Sequence, residues 1–302
     1  MSGTAASTKV WRRIGVHARE ALLRSLNSVE LRTILADVAR TRASDETYAD
    51  LIKRWREDRL LMPSLLDPRE AIPVTARLWE AVPREFVGVT LSQLTSLGSG
   101  IHLGGLGQNR VVTTMRGTEV LADPAHGLAL EASRRRRNGH SRVHLATHAR
   151  CTHAWDQAEE SAHELRFSLV SSCPDGGGLS TEADLLDLHL DYWREIIGSL
   201  VPHGRIELTV WDHTLAGLIE SRGTRDDVIV VAGKDDDRRP WRNPYTTAAF
   251  RFVVQGEEPV ELGDGGFVTW TQALTRNRKD RCLVSGISVD AVVPHTWGAS
   301  DQ

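Results

Sequence analysis

The chain has 302 residues, 40% of them hydrophobic and 25% charged, a mix that belongs to folded domains and excludes disordered and collagen-like chains. Lys plus Arg number 37 against 40 Asp plus Glu, a formal charge of −3, so no global field draws the chain to nucleic acid or an anionic membrane. Cys151, Cys173 and Cys282 are scattered, without a CxxC pair, which suits a reducing compartment and a cytoplasmic protein. The N-terminal stretch MSGTAASTKVWRRIGVHAREALLRSL has no apolar core before a cleavage site, and no window approaches ~18 uninterrupted apolar residues, so neither export nor a membrane span is expected.

Between Ser28 and Leu61, the apolar residues Val29, Leu31, Ile34, Leu35 and Val38, then Tyr48, Leu51, Ile52 and Trp55, recur at helical spacing and predict two amphipathic helices. Ser44 and Thr47 around DET mark the start of the second, and KRWREDR reads as its solvated face. Residues 1–62 therefore form a small helical N-terminal segment, and residues 63–302 the main domain. Asp67-Pro68 opens a further helix, with Ala71, Val74, Leu78 and Trp79 on one side and a stop near Pro83. FVGVTLSQL, LGSGIHLGGLG and NRVVTTMRGTEVL read as strands and turns. GLALEASRRRRNG is helical and ends on Asn138-Gly139, with Arg134 to Arg137 a solvated basic C-terminus.

VHLATHARCTHAW and HELRFSLVSSC predict two antiparallel strands joined by a loop. TEADLLDLHLDYWREIIGSLV is the clearest amphipathic helix, with Leu185, Leu188, Tyr192, Ile196 and Leu200 as its stripe and Pro202 and Gly204 as its stop. RIELTVW, DVIVVAG, AAFRFVVQG and RCLVSGISV are short and β-rich, with one helix around TWTQALTRNRK. The whole predicts an α+β fold, a mostly antiparallel sheet carrying helices on one face.

His144, His148, Cys151 and His153 have the residue types of a zinc site, but in a strand His144, Ala146, His148, Arg150 and Thr152 share one side while Cys151 and His153 take the other. No metal is expected there. The glycine-rich segments lack the GK[ST] ending of a P-loop, and no G-x-S-x-G elbow occurs, which removes those nucleotide and hydrolase readings.

Taken in order, the larger blocks resemble the catalytic domain of class II aminoacyl-tRNA synthetases, in the histidyl and phenylalanyl branches and their paralogues. DPREAIPVTARLWEAVPREFVGVTLSQL looks like motif 1, the dimer-building segment. TEVLADPAHGLALEASRRR stands in the place of the "LRPE.T" segment and its helix, with Asp123-Pro124 where Arg-Pro is usual. VHLATHARCTHAWDQAEESAHELRFSLVSS looks like motif 2, with Arg150 in the place of the arginine that contacts the ATP α-phosphate. PYTTAAFRFVV is similar to the "YYTG..F" strand, LGDGGFVTW to the "GGRYD" turn, and CLVSGISVDAVVP to motif 3. Ala291 stands where the motif 3 arginine belongs, Ser288 replaces a glycine, Thr152 replaces the motif 2 glutamate, and Ala125 the acid of "RPE".

The resemblance implies a class II synthetase-like antiparallel sheet flanked by helices. Adenylate formation develops charge on phosphoryl oxygens, so cations must be fixed on rigid strands. It implies Arg150 and Arg166 as catalytic residues, with Arg242 or Arg251 in support, and ATP and Mg²⁺ as cofactors. His148, His163, Glu164, Tyr245, Thr246, Thr247 and Trp270 are the substrate-binding candidates, in one cleft with Arg150. The function implied is a stand-alone paralogue that binds an amino acid or related carboxylate and activates it for transfer to a small molecule or carrier. The alternative is a non-catalytic paralogue acting as a ligand-binding or regulatory subunit. A homodimer through the motif 1 region is expected; tRNA charging is disfavoured, because the helical segment is not strongly basic and nothing follows Pro294 to read an anticodon.

Overall fold

The computed structural model describes residues 5–152, 154, 162–223, 227–232 and 245–296. Helices α1 (Ala5–Ile14), α2 (Val16–Glu20), α3 (Ser28–Asp45) and α4 (Tyr48–Glu57) come first. The two helices expected after Ser28 are α3 and α4. Thr47 caps α4 in a reciprocal box with Asp50, and Asn27 caps α3 in the same way with Glu30. Neither α3 nor α4 has a buried residue, and Val29, Ile34, Leu51, Ile52 and Trp55 are exposed.

Helix α5 (Pro68–Glu80) starts where Asp67 Oδ1 accepts from the Arg69 N–H at 2.9 Å, and it buries Ala71, Val74 and Leu78. The glycine-rich region that follows is mostly irregular. It holds strands β1 (Val87–Gly88), β2 (Leu94–Ser96) and β3 (Thr118–Val120), the short helix α6 (Ser99–His102) and a 3-10 turn at Gln108–Arg110. Helix α7 (Pro124–Arg137) leads to β4 (Val143–Thr152) and β5 (His163–Pro174), and α8 (Ser180–Leu200) to β6 (Gly204–Val210). Helix α9 (His213–Ser221), then β7 (Val228–Ala232), β8 (Ala248–Val254) and β9 (Val260–Val268), precede α10 (Trp270–Thr275), β10 (Asp280–Ser288) and α11 (Val289–Val292).

Eight strands form one sheet in the order β1-β4-β5-β10-β9-β8-β6-β7. The central pairings are antiparallel, so His148, Phe167, Phe250 and Val284 belong to one antiparallel sheet as expected; only the edge pairs β1/β4 and β6/β7 are parallel. Helices cover both faces rather than one. On one side α5, α8 and α11 bury Phe167, Leu169, Trp193, Phe250, Phe252 and Ile287. On the other, α7 and α10 bury Leu128, Ala129, Leu145, Val170, Cys282 and Val284.

Three sequence expectations change. The apolar arc of α8 is wider than the expected stripe: Leu186, His189, Leu190, Trp193 and Ile197 are buried beside Leu185, Tyr192 and Ile196, while Leu188 and Leu200 are only half-buried. The arginine run at the end of α7 is exposed at Arg134 and Arg137, as expected, but Arg135 and Arg136 are partly buried. Arg136 bonds Asp280 at 2.7 Å, Arg134 and Arg135 bond Glu131, and Arg137 donates to the Leu274 carbonyl. LGDGGFVTW is not a turn but strand β9 itself. Its glycines admit close neighbours, since a Cβ on Gly265 would stand 2.6 Å from both the Phe250 ring and Ser285 Cβ.

Candidate functional site

Strand register decides which predicted residues can meet. Arg150 pairs with Leu165, His148 with Phe167 and Thr152 with His163, and Phe167 packs in the core under α5 and α8. Arg150, His148 and His163 therefore stand on the α5 face. Ala149 pairs with Arg166 and Cys151 with Glu164, so Arg166 and Glu164 stand on the α7 face. The single cleft expected to hold Arg150, Arg166 and Tyr245 does not exist: the sheet lies between Arg150 and the other two.

On the α7 face, Arg166 is the centre. Its side chain is 17% exposed; Nη1 lies 3.3 Å from Glu164 Oε1 and Nη2 lies 3.5 Å from Asp264 Oδ1. Tyr245 donates from its hydroxyl to the other oxygen of Asp264 at 2.9 Å, and its ring occupies the space that a Cβ on Gly266 would need. Burial opposes the charge on Arg166, but Glu164, Asp123 and Asp264 outweigh it and hold the guanidinium pKa well above the ordinary arginine value. Three carboxylates thus act on one arginine. Arg166 Nε is buried without a hydrogen-bond partner. Cys151 lies beside the group with Sγ 3.7 Å from the Glu164 carbonyl; burial, then Glu164, pushes its pKa well up, so it is an inert thiol.

The other candidates sort by distance along the strands. Thr246 donates to the Phe267 carbonyl, and Thr247 Oγ1 is buried without a partner. Trp270 is elsewhere. It follows Val268, which pairs with Cys282 and so with Ser172, whereas Arg166 pairs with Ser288; six residues of strand separate the two levels, about 20 Å. Trp270 packs edge-on against His126, ring centroids 5.1 Å apart, in the core under α7. His153 and Arg242 lie outside the described residues.

Asp264 is the residue that sequence reasoning missed, hidden inside the glycine run read as a turn. Glu119 is another. It is fully buried and accepts from the Gly100 N–H at 2.6 Å, the Gly98 N–H at 3.2 Å and Gln108 Nε2 at 3.3 Å. A protein carboxylate thus already holds these glycine amides, the donors that would otherwise suit an anion.

Among the described residues of the α7 face, the donor set does not fit ATP and Mg²⁺. Arg166 is committed to Glu164 and Asp264; Arg251 and Arg205, on the same face, are both committed to Glu207, at 2.6 and 2.5 Å. In place of the motif 3 arginine, Ala291 follows Asp290, whose carboxylate accepts from the Leu165 N–H at 2.8 Å and the Ser64 hydroxyl at 3.0 Å. Among the described residues, no three His, Cys, Asp or Glu side chains converge as a metal ligand set. Nor is any described helix long and apolar enough to cross a membrane.

No family model matches the chain, and no characterised protein matches it in sequence. Solved structures match its fold. An ATP phosphoribosyltransferase regulatory subunit/histidyl-tRNA synthetase from Bacillus halodurans superposes with a TM-score of 0.58 at 10% identity, over 78% of this chain and 81% of that one. A histidine–tRNA ligase subunit from Alicyclobacillus acidocaldarius gives 0.57 at 11%, over 77% and 96%. Apo histidyl-tRNA synthetase from S. aureus gives 0.57 at 8%, over 78% and 69%. At these identities the likeness is one of architecture: the chain has the class II aminoacyl-tRNA synthetase-like fold, similar in plan to histidyl-tRNA synthetase-like proteins.

Proposed function

We propose that the chain is a synthetase-fold binding protein that takes an amino acid or related amino-bearing carboxylate without adenylating it, and so acts as a ligand-binding or regulatory subunit. The observation that carries this reading is the charge around Arg166, one guanidinium facing Glu164, Asp264 and Asp123. Such a cluster repels a triphosphate and attracts an ammonium group. Carboxylate activation needs the opposite balance, with cations free to meet charge at the α-phosphate. The fold is compatible with such a use, since one solved neighbour is described as a regulatory subunit.

A thermal-shift panel of the amino acids, with ATP and Mg²⁺ tested alongside, checks the reading. An amino acid that binds the native state raises the midpoint, by about 2.7 kcal/mol of stabilisation at a concentration of 100 times its Kd, whereas ATP with Mg²⁺ leaves it unmoved. Pyrophosphate exchange into ATP that depends on an added amino acid would restore the ligase reading, with transfer to a small molecule or carrier. The homodimer belongs to the same proposal: Leu65 before α5 is fully exposed and Val87 on β1 is 50% exposed, apolar surface of the motif 1-like region that a second copy would cover. Light scattering is expected to give twice the 33.5 kDa chain mass. A species at 33.5 kDa at micromolar concentration removes the dimer.

A further inference from the structure

The geometry points to a second ligand site on the opposite sheet face, a groove between α5 and the β4/β5 pair that binds a small apolar carboxylate on Arg150. This inference does not rest on the reading of the Arg166 cluster. The groove is open to solvent and has a volume of about 460 Å³, within the roughly 300–1,000 Å³ of small-molecule sites. Its walls are Leu66, Ala71, Trp79 and Leu165, and its polar members are Thr75, His148 and Arg150. On α5, Ala71, Thr75 and Trp79 recur every fourth residue, so one helix face supplies two small side chains and a ring against the sheet.

Each polar member has hydrogen-bonding capacity to spare. Arg150 Nη1 donates to His163 Nδ1 at 2.8 Å and lies 3.8 Å from Asp290, while its Nε and Nη2 hydrogens meet no acceptor among the described residues. An indole N–H only donates, so the Trp79 bond of 2.8 Å to His148 Nδ1 makes that nitrogen the acceptor and places the ring proton on Nε2. Thr75 Oγ1 is buried and has no partner. That hydroxyl has no exposed surface, so the groups a ligand in the groove can reach are Arg150 and His148.

The ligand chemistry follows from charge and shape. The free Nε and Nη2 edge of one guanidinium matches a carboxylate in a two-point bond. With a single cation, and Asp290 already opposite it, the groove suits a monoanion rather than a phosphate dianion. The apolar walls select a hydrocarbon body, a branched aliphatic or aryl carboxylate.

The test is calorimetric titration of the full chain with phenylacetate and 4-methylvalerate, together with the indole N–H NMR signal of Trp79. The expected result is saturable binding that shifts the Trp79 signal and weakens about tenfold or more in Arg150→Gln, the usual cost of a lost hydrogen bond to a charged group. Ala76→Trp fills the groove from its exposed rim and should abolish binding without touching the core, which keeps the test valid if Arg150→Gln unfolds. Binding of phenylacetamide as tight as phenylacetate, or inorganic phosphate competing as well as either acid, would overturn the ligand class. Binding that survives both substitutions, or no saturable binding of either acid, would overturn the site.

Discussion

Replacing Arg166 with methionine is expected to cost about 3–5 kcal/mol of stability at neutral pH, the usual penalty for leaving partly buried charges without their partner. Methionine keeps most of the side-chain volume, so the loss isolates charge from packing. Glu164 and Asp264, 20% and 22% exposed, would then lose the guanidinium they share. Like charges brought together without a counter-ion repel, and acid relieves that repulsion by neutralising them. The deficit relative to wild type should therefore be largest near about pH 7.5 and shrink towards about pH 4, within the carboxylate range. Urea unfolding at several pH values reads this directly. A deficit below about 1 kcal/mol, or one that is constant with pH, would mean that the guanidinium is not holding the carboxylates together.

Most of the architecture was legible in the sequence because it rests on local signals. Asp67-Pro68 and Thr47 are helix starts in chemistry as well as position, Asn138-Gly139 is a helix stop, and the strands around Phe167, Phe250 and Val284 are dense in β-branched and aromatic residues. The alternation that separates Arg150 from Cys151 was legible too. What the pattern could not supply is which side of β4 lies beneath α5, because that depends on how the β4/β5 pair aligns and on where a helix some 70 residues earlier in the chain comes to rest. Arg150 pairs with Leu165, not with Arg166. That single step of register puts the two arginines on opposite faces.

Glycine misled for a related reason. In LGDGGFVTW it reads as a turn signal, but these glycines sit inside a strand because the Phe250 and Tyr245 rings need the space of the missing Cβ atoms. Asp264, carried on that strand, was invisible as a partner for Arg166 until the register was known. Glu119 was likewise unremarkable in sequence, since its role is to accept from backbone amides about twenty residues away. Both cases are long-range satisfaction of buried charge, for which a linear pattern holds no signal.

The second large effect is expected from His189, which the amphipathic reading of α8 passed over and which the structure buries completely. Its Nε2 lies 2.8 Å from the Ser171 hydroxyl and its Nδ1 lies 2.8 Å from the Ser285 hydroxyl, which also accepts from the Trp193 indole; Ser171 continues the chain to His144. Burial, reinforced by His144, pulls the His189 pKa down to about 3. The unfolded chain takes up this proton as pH falls below about 6.5, whereas the native state does so only near 3. The stability that His189 contributes is thus full above about pH 6.5 and lost on acidification at about 1.4 kcal/mol per pH unit. His189→Gln keeps one donor and one acceptor for the serines and removes the titration. Its destabilisation should be about 1–3 kcal/mol near pH 7 and should fall steadily as pH drops to about 4, the carboxylates common to both proteins cancelling in the difference. Parallel stability curves for variant and wild type over that window would show that His189 takes up its proton in the native core over the same pH range as in the unfolded chain.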